Sequence, residues 1–456
     1  MLTRRRILLD AGAGFGWLAA SWLLQRDSAQ AAESKPHFAP KVKRVIQLFC
    51  VGGMSHLDTF DFKPDLQKLN GKPYEMPTFF GQAGNLLASP WTFKQRGQSG
   101  LWISELLPNL GQCADKMTII RTMVAKSANH MPAIAQMNTG FILMGFPAMG
   151  AWVTYGLGTE NQDLPAFVVL TDPNGQPWGG SVHWSNGFLP ASVQGTAFRS
   201  AGDPVPDLAT PPGVTAEARR EGLGWLEKMN SEYAASHPGE SSIEARVRSY
   251  EVAASMQLQV PEIADLKGES EVTRRLYGVD KEETAVFAKH CLLARRLIEK
   301  GVRFVQVYHG GSGKSWDAHG DLKGNHSTMA SGYDQPAAAL LLDLDSRGLL
   351  QDTLVMGVTE FGRTPVAQGG GKPGRDHHPG CFACWMAGAG LKPGFAYGIS
   401  DEVGRKPAEN PVTTYDFHAT ALHLLGLDHE KLTYYHNGIR RRLTDVHGEV
   451  VQGILS

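Results

Sequence analysis

Three short polar clusters in the last third of the sequence combine the residue types that hold metal ions. The first is Trp316-Asp317-Ala318-His319. The second is Glu360-Phe361-Gly362-Arg363-Thr364-Pro365, and the third is Arg375-Asp376-His377-His378-Pro379. Carboxylates and imidazoles are hard-to-borderline ligands, suited to zinc, calcium, magnesium or manganese. Asp317, His319, Glu360, Asp376 and His377 together offer three carboxylates and two imidazoles, enough for one four- to six-coordinate divalent ion or for two. Each residue also has an ordinary structural reading. Asp317 can cap a turn, His319 can be a surface histidine, and Glu360 can pair with Arg363. Arg363 is the residue suited to hold an oxyanion, because a guanidinium recognises phosphate, sulfate or carboxylate with two parallel hydrogen bonds. Arg375 can do the same, and either arginine can instead neutralise a neighbouring carboxylate.

The clusters gain meaning from the elements around them. Residues 302–308 and 353–359 are apolar runs that end just before the first and second clusters, and 381–387 is one that begins just after the third. Each reads as a buried strand. Strand ends in an open α/β sheet are where such sheets bind their ligands. The run RVIQLFCV at 44–51 reads as a strand buried on both faces, and it leads into Gly52-Gly53-Met54-Ser55-His56-Leu57-Asp58. Asp58 is there a candidate ligand or base. The segment Ser127-Ala128-Asn129-His130 precedes a helical stretch at 131–140, and helix N-termini favour anions. His130 is thus a candidate nucleophile, acid-base group or ligand. Glycines at 369–374 read as a loop that lets Asp376 and His377 approach the same place.

Further strands are expected at 118–123 and 166–170. Helices are expected at 106–117, 284–300, 333–348 and 417–425. The alternation argues for an α/β fold: one largely parallel central sheet with helices on both faces. Residues 191–260 differ in character, with Pro-rich loops giving way to charged helical stretches at 215–233 and 242–258. They read as a peripheral insertion in a single domain spanning 32–456.

The 456 residues carry a formal charge of −1 and are 42% hydrophobic, which gives no basic excess for nucleic acid. Cys50, Cys113, Cys291, Cys381 and Cys384 are too few and scattered for a disulfide framework, and read as core residues. Residues 1–31 read as an export signal. Arg4-Arg5-Arg6 gives a twin-arginine pattern, an apolar stretch follows, and Ala29-Gln30-Ala31 is a small-x-small cleavage site. The expected location is periplasmic or extracellular, with no membrane span after signal removal; an uncleaved anchor is the rival.

Beyond these readings, the pieces GGMSHLDTFDFKP, GFLPASVQGTAF, WDAH, GLLQDTLVMGVTEFGRTP, GRDHHP and TTYDFHATALHLLGLD resemble the domain-of-unknown-function family 1501. That family is grouped with the alkaline phosphatase and sulfatase superfamily. The resemblance implies an alkaline-phosphatase-like fold and a metal-dependent hydrolase acting on a sulfate or phosphate ester, either a small molecule or a glycan. On sulfatase patterns, Glu360 stands where a metal-binding Asp stands and Phe361 replaces a His. His130 falls at the position of the formylglycine-forming Cys, and Gly52-Gly53 fall where two metal-binding Asp residues would be. The missing nucleophile leaves a second expectation open: a protein that keeps the fold and binds a metal, a glycan or a partner without catalysis.

Overall fold

A computed structural model describes residues 35–81, 84–198, 213–236 and 262–456. The expected export signal and the 242–258 helix lie outside the described residues. The centre is a nine-stranded sheet. Its main strands are β1 (Arg44–Cys50), then β4 (Thr118–Val124), β5 (Phe167–Leu170), β6 (Thr196–Phe198), β7 (Phe304–His309), β8 (Thr353–Val358), β11 (Phe382–Ala387) and β12 (Phe395–Tyr397). The small hairpin β2–β3 (Phe93–Arg96, Leu101–Ser104) and the hairpin β9–β10 (Gly362–Gln368, Gly374–His378) lie off it. The spatial order is β12-β4-β11-β8-β1-β7-β5-β6, with Val412–Thr413 also pairing β4.

β1 pairs in parallel with both β7 and β8, in register Val45↔Phe304 and Val45↔Leu354. β11 alone runs against its neighbours β4 and β8. Between β8 and β11 the chain forms the hairpin β9–β10 rather than a crossover helix, and it returns beside β8 in the opposite direction. The third polar cluster is therefore delivered at the start of a reversed strand, to the same sheet edge as the ends of β1, β7 and β8.

The continuous apolar strands work as expected, because both faces are covered. In β1, Ile46, Leu48 and Cys50 enter the core layer that holds the helices Ala285–Glu299 and Leu322–Ser346. Val45 and Phe49 enter the opposite layer, with Met149–Leu157 and Thr414–Leu424. The helix His130–Thr139 packs Ile134 and Met137 into that second layer and stops at Gly140, which takes a left-handed conformation (φ 80°). Thr413 and Asp416 form a reciprocal capping box at the last helix.

Four expectations are corrected. Asp376 and His377 do not lie in the loop expected at 369–374, because Gly374–His378 is a strand with a bulge between Arg375 and His377. Such bulges re-aim side chains beside sites. The helix expected from 333 begins at Leu322: Asp321 caps it by accepting Gly324 N–H, and Pro336 is accommodated inside it. The helix expected at 106–117 is a 3₁₀ segment, Leu110–Lys116. Finally, 191–260 is not wholly peripheral. β6 falls within it and extends the sheet beside β5, with Phe198 buried.

Candidate metal centre

The parallel strands bring the polar clusters to one edge of the sheet. At the end of β1, Gly52 (φ 111°) passes so close to the loop after β7 that a Cβ there would stand 2.6 Å from the Asp317 backbone nitrogen. That contact is why a side chain is excluded at this position. Gly52 N–H donates to Glu360 Oε1 at 2.8 Å, and Trp316 N–H to Val51 O at 2.9 Å, locking the three strand ends together.

Asp317 is the hub. His319 Nε2 lies 3.0 Å and His377 Nε2 3.2 Å from its Oδ1, and His130 Nε2 lies 3.4 Å from its Oδ2. Each imidazole uses its other nitrogen elsewhere. His130 Nδ1 meets Glu360 Oε1 at 2.7 Å, His319 Nδ1 meets Gln368 Oε1 at 2.5 Å, and His377 Nδ1 meets Ala128 O at 2.7 Å. All three acceptors fix the Nδ1–H tautomer, so a neutral ring turns an Nε2 lone pair toward Asp317. Trp178 stacks on His130 at 4.1 Å and 18°, and Phe79 and Phe80 lie against His377 and His319. Asp376 accepts the N–H groups of Phe80 (3.0 Å) and His377 (2.7 Å), fixing this aromatic cover over the histidines.

These donors suit a cation. Two overlapping triads, His130–Asp317–His377 and His319–Asp376–His377, each gather their donors within 4.8 Å of one another. Donors around a tetrahedral zinc at 2.0–2.1 Å stand about 3.3 Å apart. The His319–His377 Nε2 separation is 2.9 Å, so two lone pairs would face each other unless a proton or a cation lay between them. His130 Nε2 is buried without a hydrogen bond, its Asp317 contact being too poorly aligned for one. Asp317 keeps 24% side-chain exposure and His319 31%, so the cluster opens to solvent.

The charges agree with this arrangement. Burial alone would raise the Asp317 pKa, but the His130, His319 and His377 rings around it and the charge of Arg363 hold it well below the usual carboxylate range. Burial opposes charging of His130, yet Asp317 and Glu360 outweigh it and raise its pKa. His319 is raised against its own burial by Asp317 and Gln368, whereas burial leaves His377 lowered.

Two candidates from the sequence sit differently. Asp58 is fully buried and pairs with Arg375 Nε at 2.9 Å and with Ser55 Oγ at 2.5 Å. A sealed carboxylate with those partners has no route to act as a base, and it lies outside both donor triads. Arg363 is also fully buried. Its guanidinium donates to Gly53 O (2.9 Å), Arg375 O (3.0 Å), Gly52 O and Asp317 Oδ1 (2.6 Å), which leaves no fork for a substrate anion. It is a clamp on Asp317. Gln368, the Ala128 carbonyl, Trp178 and the Phe79-Phe80 pair went unseen in the sequence. None carries a local signal, and each reaches the cluster only through long-range packing.

Solved structures similar to this one include the alkaline phosphatase from the Antarctic bacterium TAB5, with 11% identity and TM-score 0.36 over 85% of this chain and 99% of that one. An alkaline phosphatase superfamily protein from Vibrio parahaemolyticus shows 12% identity and TM-score 0.37 over 89% and 75%. The PsFucS1 sulfatase from Pseudoalteromonas sp. shows 12% and 0.33 over 91% and 72%. No curated protein matches the sequence. No helix among the described residues is long and apolar enough to cross a membrane. The family model DUF1501, a protein family of unknown function, matches residues 42–455, and the chain belongs to that family.

Proposed function

We propose that the protein is an exported, metal-dependent hydrolase of oxyanion esters, either sulfate or phosphate. In this reading His130, His319, His377 and Asp317 hold one divalent ion, and Glu360, Gln368 and the Ala128 carbonyl orient the three rings. The observation that carries it is the convergence of three Nε2 atoms on one carboxylate, each ring committed through Nδ1 to a separate acceptor. Metal-ligating histidines almost always hold their other ring nitrogen in this way. A bound divalent ion supplies Lewis acidity toward an ester oxygen and makes water more acidic.

The chain's own residues do the rest. Asp376, through the backbone of Phe80 and His377, holds the aromatic cover against the imidazoles. Trp178 fixes the plane of His130. His130 acts as a ligand rather than a nucleophile, because Glu360 engages one nitrogen and the other faces Asp317. The attacking group is then water, and the open side of Asp317 and His319 gives it access. Export is supported by the twin-arginine pattern at Arg4-Arg5-Arg6.

The test is metal analysis of the purified chain, followed by a screen of aryl sulfates and aryl phosphates with and without chelator. Chelator-sensitive turnover supports the reading. Stoichiometric metal with no turnover on either ester class supports instead a metal-binding protein without catalysis, a reading favoured by the lack, among the described residues, of a side-chain nucleophile at the cluster. Protein that takes up no divalent ion rejects both.

A further inference from the structure

Arg363 lies where its neighbours would suit an ion. Its guanidinium meets the carbonyl oxygens of Gly52, Gly53 and Arg375 and a carboxylate oxygen of Asp317, with no exposure to solvent. A set made only of carbonyl and carboxylate oxygens is what a hard cation takes. Among the described residues, the two donor triads offer no second complete set, because both need His377. The His377 ring cannot bridge two ions, since its Nδ1 hydrogen is held by Ala128 O at 2.7 Å.

Charge leads to the same count. Asp317, Glu360 and Asp376 surround the cluster, and Arg363 is its one buried guanidinium, because Arg375 is matched by Asp58. Three formal negative charges and one positive leave a deficit that a single divalent ion neutralises. A second ion would leave uncompensated positive charge in a largely buried site, which is strongly disfavoured.

We propose that Arg363 is a built-in cation: it fills the oxygen-lined position at the end of β1, holds Asp317 for the ion, and limits the centre to one divalent ion per chain. The inference rests on the metal reading above. It makes Arg363 a positioning residue and gives the Gly52-Gly53 carbonyls a role that no side chain could fill.

Manganese(II) is the probe, because its spectrum separates isolated ions from coupled pairs. The full-length wild-type chain, stripped and titrated with Mn2+, is expected to bind one ion with the six-line signal of an isolated centre. Arg363→Lys, which keeps the charge, is expected to bind one ion as well. Arg363→Ala exposes the oxygen set and is expected to take up a second, weaker ion, with exchange coupling in its spectrum. Two ions in the wild type, or one isolated ion in folded Arg363→Ala, overturns the inference and leaves the metal reading intact. No ion in the wild type overturns the metal reading itself, and this inference with it. If Arg363→Ala does not fold, the wild-type and Arg363→Lys counts decide the matter, two ions in either being contradictory.

Discussion

Two clusters of charge meet at this edge of the sheet, and they are built on opposite principles. Around Asp58 everything is closed: the carboxylate is fully buried, Arg375 and Ser55 take up its oxygens, and Arg375 also donates to Thr364 O and Leu87 O. Around Asp317 the charges are left open, with three imidazole nitrogens turned toward one carboxylate and a path to solvent. A single segment supplies both, since Arg375 goes to the sealed cluster and Asp376-His377 to the open one, on either side of the bulge in β10. The lesson is that burial of charge marks a site only when donors or acceptors remain uncommitted. A carboxylate with complete partners is scaffold, however conspicuous its neighbours in the sequence.

The comparison breaks most visibly at Asp58. Asp58→Ala leaves the Arg375 guanidinium buried and unpaired, and it is expected to lower unfolding stability by about 3–5 kcal/mol. Denaturant midpoints would show this, and the fraction that stays folded should bind metal as the wild type does. Loss of metal affinity without loss of stability would move Asp58 into the site. His377→Ala should give the reverse pattern: a fall in metal affinity of about 100-fold or more, with a smaller change in stability. Equal affinities for this variant and the wild type would remove His377 from the ligand set.

A subtler change sharpens the open cluster. Gln368→Ala removes only the partner of His319 Nδ1 and is expected to weaken metal binding about 10–100-fold, as for other partners of ligand histidines. An unchanged affinity would mean that His319 needs no orientation. A separate test of the sealed cluster concerns acid. His326 is buried beside the sealed cluster, accepting Ser55 N–H at Nε2 (3.3 Å), and burial lowers its pKa to about 3. His56 is likewise lowered, by burial, to about 4. The unfolded chain takes up these protons near pH 6.5 and the folded chain does not, so stability is full above pH 6.5 and declines as pH falls toward 4. Asp58 adds to the decline at lower pH. Burial would raise its pKa, but Arg375 outweighs burial and lowers it, so its stabilisation is lost as pH falls below the ordinary carboxylate range. A denaturant midpoint that stayed flat from pH 7 to 4 would contradict this accounting.

Much of the scaffold was legible in the sequence because β1, β5, β7 and β8 are continuous apolar runs, the signature of strands covered on both faces. The hairpin β9–β10 was not, because its residues include the polar ones that make the site, and Gly369 to Gly374 read as a loop that carried Asp376 and His377. β6 was hidden in a Pro-rich stretch too short to show a period. The helix start at Leu322 was masked by Gly324, Gly332 and Pro336, each an ordinary breaker that packing overrides here. Ligand types at strand ends were legible, since chemistry and topology both speak locally. Which carboxylate is sealed and which stays open depends on contacts such as Asp58 with Arg375, 317 residues apart, and no local pattern records those.

The central claim is that one divalent ion sits among His130, His319, His377 and Asp317. A crystal structure of zinc-loaded protein, with anomalous scattering recorded at the zinc edge, tests it most directly. The account predicts one strong anomalous peak with the three Nε2 atoms and an Asp317 oxygen at about 2.0–2.2 Å. No peak at this cluster in zinc-saturated crystals, or a peak bound by other residues, would contradict it.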